Sequence, residues 1–326
     1  MYPRIIIDRQ KLRENIERMI NMADANGIEN ITFVVKAFAG DTEIMKTVCE
    51  TEINSIGDSR IQNLKRFSDI RIPKMLLRIP MLSEITDVVK YADISLNSEI
   101  TVVEALDFEA RKNNKVHDII LMFDLGDLRE GIHYKSDYLP IIKKIIALHN
   151  IRLIGIGTNL TCYGGLVPSL EILNRLVDIK NKIESNFDIK LRIISGGNSS
   201  SVTLFNKSLI PDEINHLRLG ESILFGKETS YSTEIEGLNH DIFTLEAEII
   251  ELKEKPSFPD GKMSINSFGE VPVIEDRGII RRAILAIGKQ DVILDNLFPI
   301  DYDVEILGGS SDHLIVHIKN DKYQVG

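Results

Sequence analysis

One stretch near the N-terminus indicates the fold of this 326-residue chain: Ile31-Thr32-Phe33-Val34-Val35-Lys36-Ala37-Phe38-Ala39-Gly40. Its first five residues are apolar or β-branched, which is typical of a strand buried on both faces. Lysine is almost never fully buried without a partner or a task. At the end of such a strand, followed by Ala37, Ala39 and Gly40, the Lys36 amine can project into a pocket mouth. A desolvated lysine of this kind can form a Schiff base with an aldehyde. The alternative is a lysine that only reaches solvent from a strand end.

Strand-like runs alternate with amphipathic, charge-rich stretches of helical period. The strand-like runs are residues 31–36, 53–57, 74–79, 92–96, 116–124, 151–158, 191–195 and 215–219. Strands that alternate with helices form a parallel sheet with right-handed crossovers, and about eight units in ~200 residues favour a closed (β/α)8 barrel. The alternative, an open doubly wound sheet, needs a Gly-rich phosphate turn after its first strand, and residues 36–40 do not provide one.

Two helix starts carry recognisable signals. Asp41 is predicted to cap the helix that begins at Thr42, because its carboxylate can accept the first free backbone N–H groups. Pro168 is expected in the first turn of a helix that continues to Ile183, since proline is favoured there.

The pattern changes near Ser230, and from Phe243 onward short strands and turns punctuated by Pro and Gly replace the helical period. We therefore predict an α/β protein with a (β/α)8 barrel over residues 10–232 and a β-rich C-terminal domain over residues 233–326. The strand-like residues 4–8 precede the first barrel helix. Residues 1–9 are expected to join the second domain as a further strand.

Composition narrows the range of partners. The net charge of -10 argues against a general nucleic-acid surface, which needs a basic face. The only cysteines, Cys49 and Cys162, rule out a disulfide framework and a cysteine-based zinc cage. No apolar signal region or long apolar stretch is present. We expect a soluble cytoplasmic protein with neither a nucleic-acid nor a membrane partner.

In a barrel, the reacting groups lie on the loops that follow the strands. The polar or charged residues at the predicted strand ends, in chain order, are Lys36, Asp58, Arg78, Asn97, Asp124, Asn159, Ser195 and Arg218. A barrel without a site also tolerates polar loop residues, so this list is suggestive only in combination with the two segments described next.

Two loops at the end of the predicted barrel are suited to bind phosphate. The first reads Ser195-Gly196-Gly197-Asn198-Ser199-Ser200-Ser201, and the second reads His216-Leu217-Arg218-Leu219-Gly220-Glu221-Ser222. Glycines let backbone approach an anion, and serines can cap a following helix; an ordinary Gly/Ser loop is the alternative. Phosphate often rests on the loops after the last two strands of such barrels. With a lysine after the first strand, the pattern indicates a phosphorylated aldehyde, pyridoxal 5′-phosphate (PLP).

On these residues the chain resembles the alanine racemase superfamily, the fold type III PLP-dependent enzymes. Val34-Val35-Lys36-Ala37 is similar to the Schiff-base motif of the family, which implies that Lys36 is the PLP lysine. Residues 124–131 resemble the segment whose arginine contacts the cofactor's phenolic oxygen and the substrate carboxylate, which implies that role for Arg129. Asn159 stands where the family often has histidine, and it is included among the cofactor-binding candidates.

The resemblance implies further cofactor contacts at the two phosphate loops. Asn198 and Ser199 match the phosphate-binding Asn-Ser pair of the family. Arg218 matches the arginine that bonds the pyridine nitrogen, and Gly220 matches the glycine that supports the phosphate. Glu221 follows directly and completes the cofactor-binding set.

The second domain also carries family-like motifs. Residues 286–291 (Ala-Ile-Gly-Lys-Gln-Asp) and 310–313 (Ser-Ser-Asp-His) stand where the racemases have a Gly-Tyr-Ala-Asp and a Ser-Met-Asp motif. The latter reaches across a dimer interface to the substrate carboxylate. The resemblance therefore implies a homodimer whose sites are completed by the partner's β domain, and a catalytic role for Asp312. The residues of these motifs are most similar to those of the ornithine racemase subgroup.

One departure concerns the tyrosine that family members use as the second acid/base. Near its expected place stands Phe268, which has no hydroxyl and cannot transfer a proton. The polar candidates that remain are Ser267, Glu270, Asp312, Cys162 and Tyr163. For Cys162 the favoured interpretation is a small apolar residue.

The resemblance implies an amino-acid racemase that moves the Cα proton, with ornithine as the expected substrate. The acidic residues available for the side-chain ammonium of ornithine are Glu221, Asp127, Glu130 and Asp312. The alternatives are racemisation of alanine, lysine or a broad range of amino acids, a non-catalytic PLP carrier, and a D-threonine aldolase-like enzyme. The aldolase needs a metal, for which His313, His317 and Asp312 are the candidates; we expect no metal.

Overall fold

The computed structural model describes residues 1–326, and the chain divides into two compact units. The first unit is Asp8–Ile242. The second joins Met1–Ile7 to Phe243–Gly326. No helix of the chain is long and apolar enough to cross a membrane.

Residues 233–242 lie in the first unit, so the observed division comes later than the boundary expected at 232/233. Two hydrogen bonds explain this. The Ile235 N–H donates to the Gly226 carbonyl at 2.7 Å, and the Asn239 N–H donates to the Asn15 side chain at 2.7 Å. The segment after the last barrel helix is therefore hydrogen-bonded to the barrel unit, through Gly226 and through Asn15 of the first helix.

The chain forms fifteen strands and eight α-helices. The strands are β1 (Arg4–Ile7), β2 (Asn30–Val34), β3 (Ser55–Asp58), β4 (Lys74–Leu76), β5 (Ile94–Asn97), β6 (His117–Asp124), β7 (Ile132–His133), β8 (Ile151–Gly157), β9 (Ile193–Ser195), β10 (His216–Leu219), β11 (Phe243–Glu246), β12 (Ile249–Pro256), β13 (Ile279–Leu285), β14 (Val304–Gly309) and β15 (Leu314–Ile318). The helices are α1 (Arg9–Asp24), α2 (Thr42–Val48), α3 (Ile61–Arg66), α4 (Ile85–Tyr91), α5 (Ile100–Lys112), α6 (Leu139–Ile146), α7 (Leu170–Phe187) and α8 (Glu221–Phe225).

The first unit is a closed parallel barrel, as the strand–helix alternation predicts. Its eight strands follow the order β2-β3-β4-β5-β6-β8-β9-β10, and β10 pairs in parallel with β2 to close the ring. The closing register places Leu217 opposite Ile31 and Arg218 opposite Thr32. The short β7 pairs only with β6. Parallel strands bring their carboxyl ends to one rim, so the loops after them meet there.

Helix α1 shows how the outer layer packs on the barrel. Leu12, Ile16, Met19 and Ala23 follow one another at helical spacing, and each is fully buried. Burying a side chain such as leucine or methionine contributes about 1.5–3 kcal/mol. Asp8 caps the helix by accepting the N–H groups of the residues two and three positions ahead.

The two predicted helix starts have different outcomes. Asp41 does cap α2, because its carboxylate accepts the N–H groups of Glu43 and Ile44. The expectation for Pro168 is wrong, since α7 begins at Leu170 and is capped by Ser169, whose hydroxyl accepts the Ile172 N–H. A serine oxygen can satisfy a free backbone N–H and a proline ring cannot, so the cap falls on Ser169.

The second unit is built from antiparallel strands. β1 pairs with β11, and the remaining strands form a sheet in the order β12-β13-β15-β14. Its core is a cluster of buried apolar side chains that includes Ala283, Ile287 and Val316. The β-rich character expected of this part of the chain is present, and the N-terminal strand belongs to it.

Candidate active site

A cavity of about 630 Å³ opens at the carboxyl ends of the barrel strands. It contains eight barrel residues that the sequence singled out for catalysis or cofactor binding: Lys36, Arg129, Asn159, Asn198, Ser199, Arg218, Gly220 and Glu221. Of the two barrel candidates for the second proton carrier, Cys162 lines the cavity and Tyr163 does not. Among the eight strand-end residues, Lys36, Arg78, Asn159 and Arg218 line the cavity. Asp58, Asn97, Asp124 and Ser195 do not line it. Asp58, Asn97 and Ser195 are fully buried, and Asp124 accepts the Gly126 N–H. The volume is in the range of small-molecule sites.

Lys36 stands one residue beyond the last hydrogen bond that ties its strand to the barrel. The Val35 N–H donates to the Gly57 carbonyl at 2.8 Å, and a single 3-10 turn, Lys36–Phe38, follows. The Lys36 side chain is exposed to the cavity, so the desolvation expected from the sequence is not present. Its amine makes no hydrogen bond or salt bridge within the chain and is free to meet a ligand.

Arg218 lines the cavity but is almost fully buried, with 3% of its surface exposed. One terminal nitrogen donates to the Ser195 hydroxyl. The other donates to the Thr158 carbonyl at 2.5 Å and to Asn159 Oδ1 at 2.7 Å. Burial lowers the pKa of Arg218 to about 10, so the guanidinium remains charged at neutral pH. A charge this deep is stabilised by these hydrogen bonds, which leave Nε without a partner in the chain.

A buried histidine supports this arginine, and the sequence analysis assigned it no role. His216 Nδ1 lies 2.7 Å from Ser195 Oγ, and its Nε2 lies 2.9 Å from Thr32 Oγ1. Arginine only donates, so Ser195 Oγ accepts from Arg218, and the imidazole tautomer of His216 decides whether the same hydroxyl donates to Nδ1 or accepts from it. Burial and the charge of Arg218 lower the pKa of His216 to about 3, which keeps it neutral. The sequence contained a signal for this contact, because His216 and Arg218 are two residues apart on one strand and therefore share a face.

Arg129 and Glu130 form the opposite wall of the site. The Glu130 carboxylate accepts from Nε and Nη2 of Arg129 and from the Asn159 side chain. Nη1 of Arg129 has no partner in the chain and remains available to an anion. Asn159, which replaces the family histidine, links the two arginines because its oxygen accepts from Arg218 while its nitrogen donates to Glu130.

The two loops predicted to bind phosphate meet at Ser199. Its hydroxyl lies 3.2 Å from the Gly220 nitrogen and 3.1 Å from the Ser222 nitrogen. Asn198 stiffens the turn by accepting the Ser200 N–H at 2.9 Å. A Cβ at Gly220 would lie 3.1 Å from that of Val34, a tight contact, so the glycine allows this loop to approach the end of β2 closely. Both N–H groups donate to this hydroxyl, so an anion that took its place as acceptor would meet a cradle of backbone donors.

Two other candidates on the barrel have structural explanations. The Asp127 carboxylate is buried and accepts the backbone N–H groups of Cys162, Tyr163 and Leu166 at 2.9–3.1 Å, so it anchors a loop. Asn198 Nδ2 lies 3.1 Å from Cys162 Sγ. Burial raises the pKa of the Cys162 thiol, which disfavours the thiolate needed for proton transfer.

In the second unit, the loops that carry the family-like motifs lie together. The Lys289 amine is 3.1 Å from the Glu270 carboxylate and 4.1 Å from the centre of the Phe268 ring. The Lys289 N–H donates to the Ser310 carbonyl at 2.9 Å, and Ser310 Oγ donates to Asp312 at 3.0 Å. Lys289 was missing from the sequence-based list of proton carriers. Its ionisable amine was visible in the sequence, between Gly288 and Gln290 of the quoted motif.

The metal candidates of the aldolase alternative do not form a site. His313 precedes β15, whereas His317 lies within it, so the argument that strand alternation places both on one face does not hold. His313 Nδ1 is 3.0 Å from Asp312, an ordinary ion-pair distance. No group of three or more His, Cys, Asp or Glu side chains could hold a metal ion.

Comparison with known proteins adds the following. The family described as "Alanine racemase, N-terminal domain" matches residues 7–228. The ornithine racemase of Acetoanaerobium sticklandii is 50% identical over 328 residues, covering 100% of this chain and 93% of that protein. The lysine racemase of Thermotoga maritima is 39% identical over 320 residues, covering 98% and 89%. Among solved structures, the alanine racemase from Streptomyces coelicolor A3(2) has a TM-score of 0.77 at 17% identity, covering 99% of this chain and 86% of that chain.

Proposed function

Because the chain belongs to the alanine racemase family, we propose that it interconverts the enantiomers of ornithine with PLP as its cofactor. Racemisation of an amino acid follows from the family and from its curated racemase relatives. The substrate is supported by the ornithine racemase that aligns with the whole chain. Ornithine and lysine, named in the two relatives, are both amino acids with an amine at the end of the side chain.

The residues of the cavity fit PLP. The Ser199 hydroxyl and the Gly220 and Ser222 N–H groups that donate to it lie together, so a phosphate that replaced the hydroxyl as acceptor would meet those donors. The Lys36 amine is free to take up an aldehyde, and Nε of Arg218, which has no partner in the chain, is left to donate to a ring nitrogen. When bound, PLP supplies an electron sink that acidifies the Cα–H bond of an amino acid. The observation that carries the proposal is that Lys36, Ser199 and Arg218 line one cavity at the strand ends of a barrel.

The side chains of the barrel have distinct tasks in this reaction. Arg129 binds the substrate carboxylate through its free Nη1, a charge-assisted contact. Arg218 keeps its proton at neutral pH because its pKa is still about 10, so it donates and never accepts. A ring nitrogen held by Arg218 would be bonded as an acceptor, which would favour return of the proton to Cα over transamination. The Lys36 amine removes or returns that proton on one face of the substrate.

Loss of stereochemistry needs a second proton carrier on the opposite face. We propose a homodimer in which the β domain of the partner completes the site, and that Lys289 is the carrier. An amine can both take and return a proton, which Phe268 cannot. Glu270 and the Phe268 ring hold the Lys289 amine, and Asp312 lies on the neighbouring loop.

The cofactor assignment is tested by replacing Lys36 with Ala and comparing it with Lys46→Ala, a change to an exposed lysine of α2. The wild-type protein and Lys46→Ala should gain visible absorbance when PLP is added and should abolish the optical rotation of L-ornithine. Lys36→Ala should do neither. A Lys36→Ala protein that retains the absorbance of the bound aldehyde would contradict the role given to Lys36.

The dimer is tested by complementation. Lys36→Ala and Lys289→Ala should each be inactive as homodimers, because each removes one proton carrier from both sites. When the two variants are unfolded, mixed and refolded, heterodimers with one intact site should restore about a quarter of the wild-type rate. No recovery, with dimers present by sedimentation, would rule out a shared site. The substrate is tested in parallel with lysine and alanine.

A further inference from the structure

The sequence left four acidic residues as candidate partners for the side-chain ammonium of ornithine. Three of them lie in the barrel unit, where their contacts distinguish them. Asp127 is buried and does not line the cavity; three backbone N–H groups occupy its carboxylate. Glu130 lines the cavity, but the guanidinium of Arg129 already neutralises it. Only Glu221 lines the cavity without a cationic partner within 4.0 Å. The fourth candidate, Asp312, belongs to the second unit and is itself paired with His313.

Glu221 is oriented by a single neutral contact. The Thr229 hydroxyl donates to its Oε2 at 2.9 Å, and its Oε1 has no partner in the chain. The hydrogen bond leaves the full negative charge on the carboxylate. Thr229, Leu224 and Phe225 line the cavity beside it, so apolar surface is available for the methylene groups of a side chain that ends at the carboxylate.

We propose that the Glu221 carboxylate binds the side-chain ammonium of the substrate and so selects amino acids that carry a distal cation. This inference rests on the proposed function, since it concerns the substrate of the same cavity. Glu221 was also expected to bind the cofactor. Its carboxylate repels a phosphate dianion, so only its backbone can serve that purpose, and the side chain serves the substrate.

The test compares Glu221→Gln with the wild type on L-ornithine and on L-norvaline, which has the same carbon chain without the amine. Glutamine keeps the size and the Thr229 contact but removes the charge. The hydrogen bond of a charged pair corresponds to roughly a tenfold to hundredfold change in kcat/KM. The preference for ornithine over norvaline should fall by that factor, mainly through a higher KM. The shorter Glu221→Asp, which keeps the charge, should recover part of the preference.

Glu213→Gln is the matched control, because Glu213 is exposed and precedes β10, whereas Glu221 follows it. The control should keep the wild-type preference. An equal loss on both substrates, or no loss on ornithine, in Glu221→Gln would overturn the inference. The absorbance of bound PLP, recorded for each variant, reports separately on the cofactor. A wild-type protein that does not racemise ornithine or bind PLP would instead refute the proposed function.

Discussion

Replacing Ser195 with Ala removes the link between the buried arginine and the buried histidine. Ser195 is fully buried; its hydroxyl accepts from Arg218 and lies 2.7 Å from His216 Nδ1. Alanine fits the space without adding bulk. The change therefore leaves one guanidinium N–H and one imidazole nitrogen without partners inside the barrel.

The cost follows from these two groups. A buried polar group left without a hydrogen bond costs about 1–3 kcal/mol, and more when it is charged. Arg218 retains its contacts with the Thr158 carbonyl and the Asn159 side chain, which limits the loss to one of its donors. We expect the free energy of unfolding to fall by about 3–5 kcal/mol, a large part of the ~5–15 kcal/mol typical of a folded protein.

The assay is urea unfolding followed by circular dichroism, with the midpoint and the m-value both determined. Because the chain has two units that can unfold separately, hydrogen exchange measured on peptides should assign the loss to β9 and β10. Ser185→Ala is the control, since this exposed hydroxyl bonds only the Lys182 carbonyl of its own helix; its effect should stay within ~0.5 kcal/mol. A loss below about 1 kcal/mol in Ser195→Ala would refute the cost assigned to leaving Arg218 and His216 without this partner.

Burial lowers the pKa of His117 from 6.5 to about 4, so as the pH falls the unfolded state binds a proton before the folded state does. The protein should therefore lose stability between about pH 6.5 and pH 4. This loss should be smaller in His117→Gln, as measured by urea midpoints across that range. A Cβ at Gly155 would lie 2.1 Å from the Ile193 carbonyl, so Gly155→Ala should cost about 2–3 kcal/mol by thermal unfolding, whereas Gly165→Ala, which meets no neighbour, should cost only about 1–2 kcal/mol for its positive φ. Asp127→Asn replaces an acceptor oxygen by a donor, and the amides of the loop it anchors should exchange with solvent faster while β6 stays protected.

The barrel could be predicted because alternation of strands and helices leaves few topologies, but the orientation of each strand-end residue could not. Side chains alternate between the two faces of a strand, so the direction of the last one depends on the residue at which the strand ends. Ser195 shows the consequence: it was expected to belong to the rim, and it instead lies under Arg218. Lys36, one residue farther along than its strand's last ladder bond, does reach the cavity.

Acidic residues near the rim were equally hard to classify from sequence. Asp127 holds a loop by accepting backbone N–H groups, and Glu228 does the same for Ser230, Tyr231 and Thr233. Their roles depend on where backbone nitrogens point, which no spacing of residue types reveals. Glu221 differs from both only because its carboxylate faces the cavity with one hydroxyl as its partner.

The pairing of β10 with β2 joins the last strand of the barrel to its first. Lys36 is synthesised early and Arg218 much later, yet both line the same cavity, and His216 and Thr32 form a hydrogen bond across this strand pair. A nascent chain that stops short of β10 contains Lys36 but has neither Arg218 nor a closed ring of strands. The cavity that these residues line can therefore form only after the last barrel strand has been synthesised.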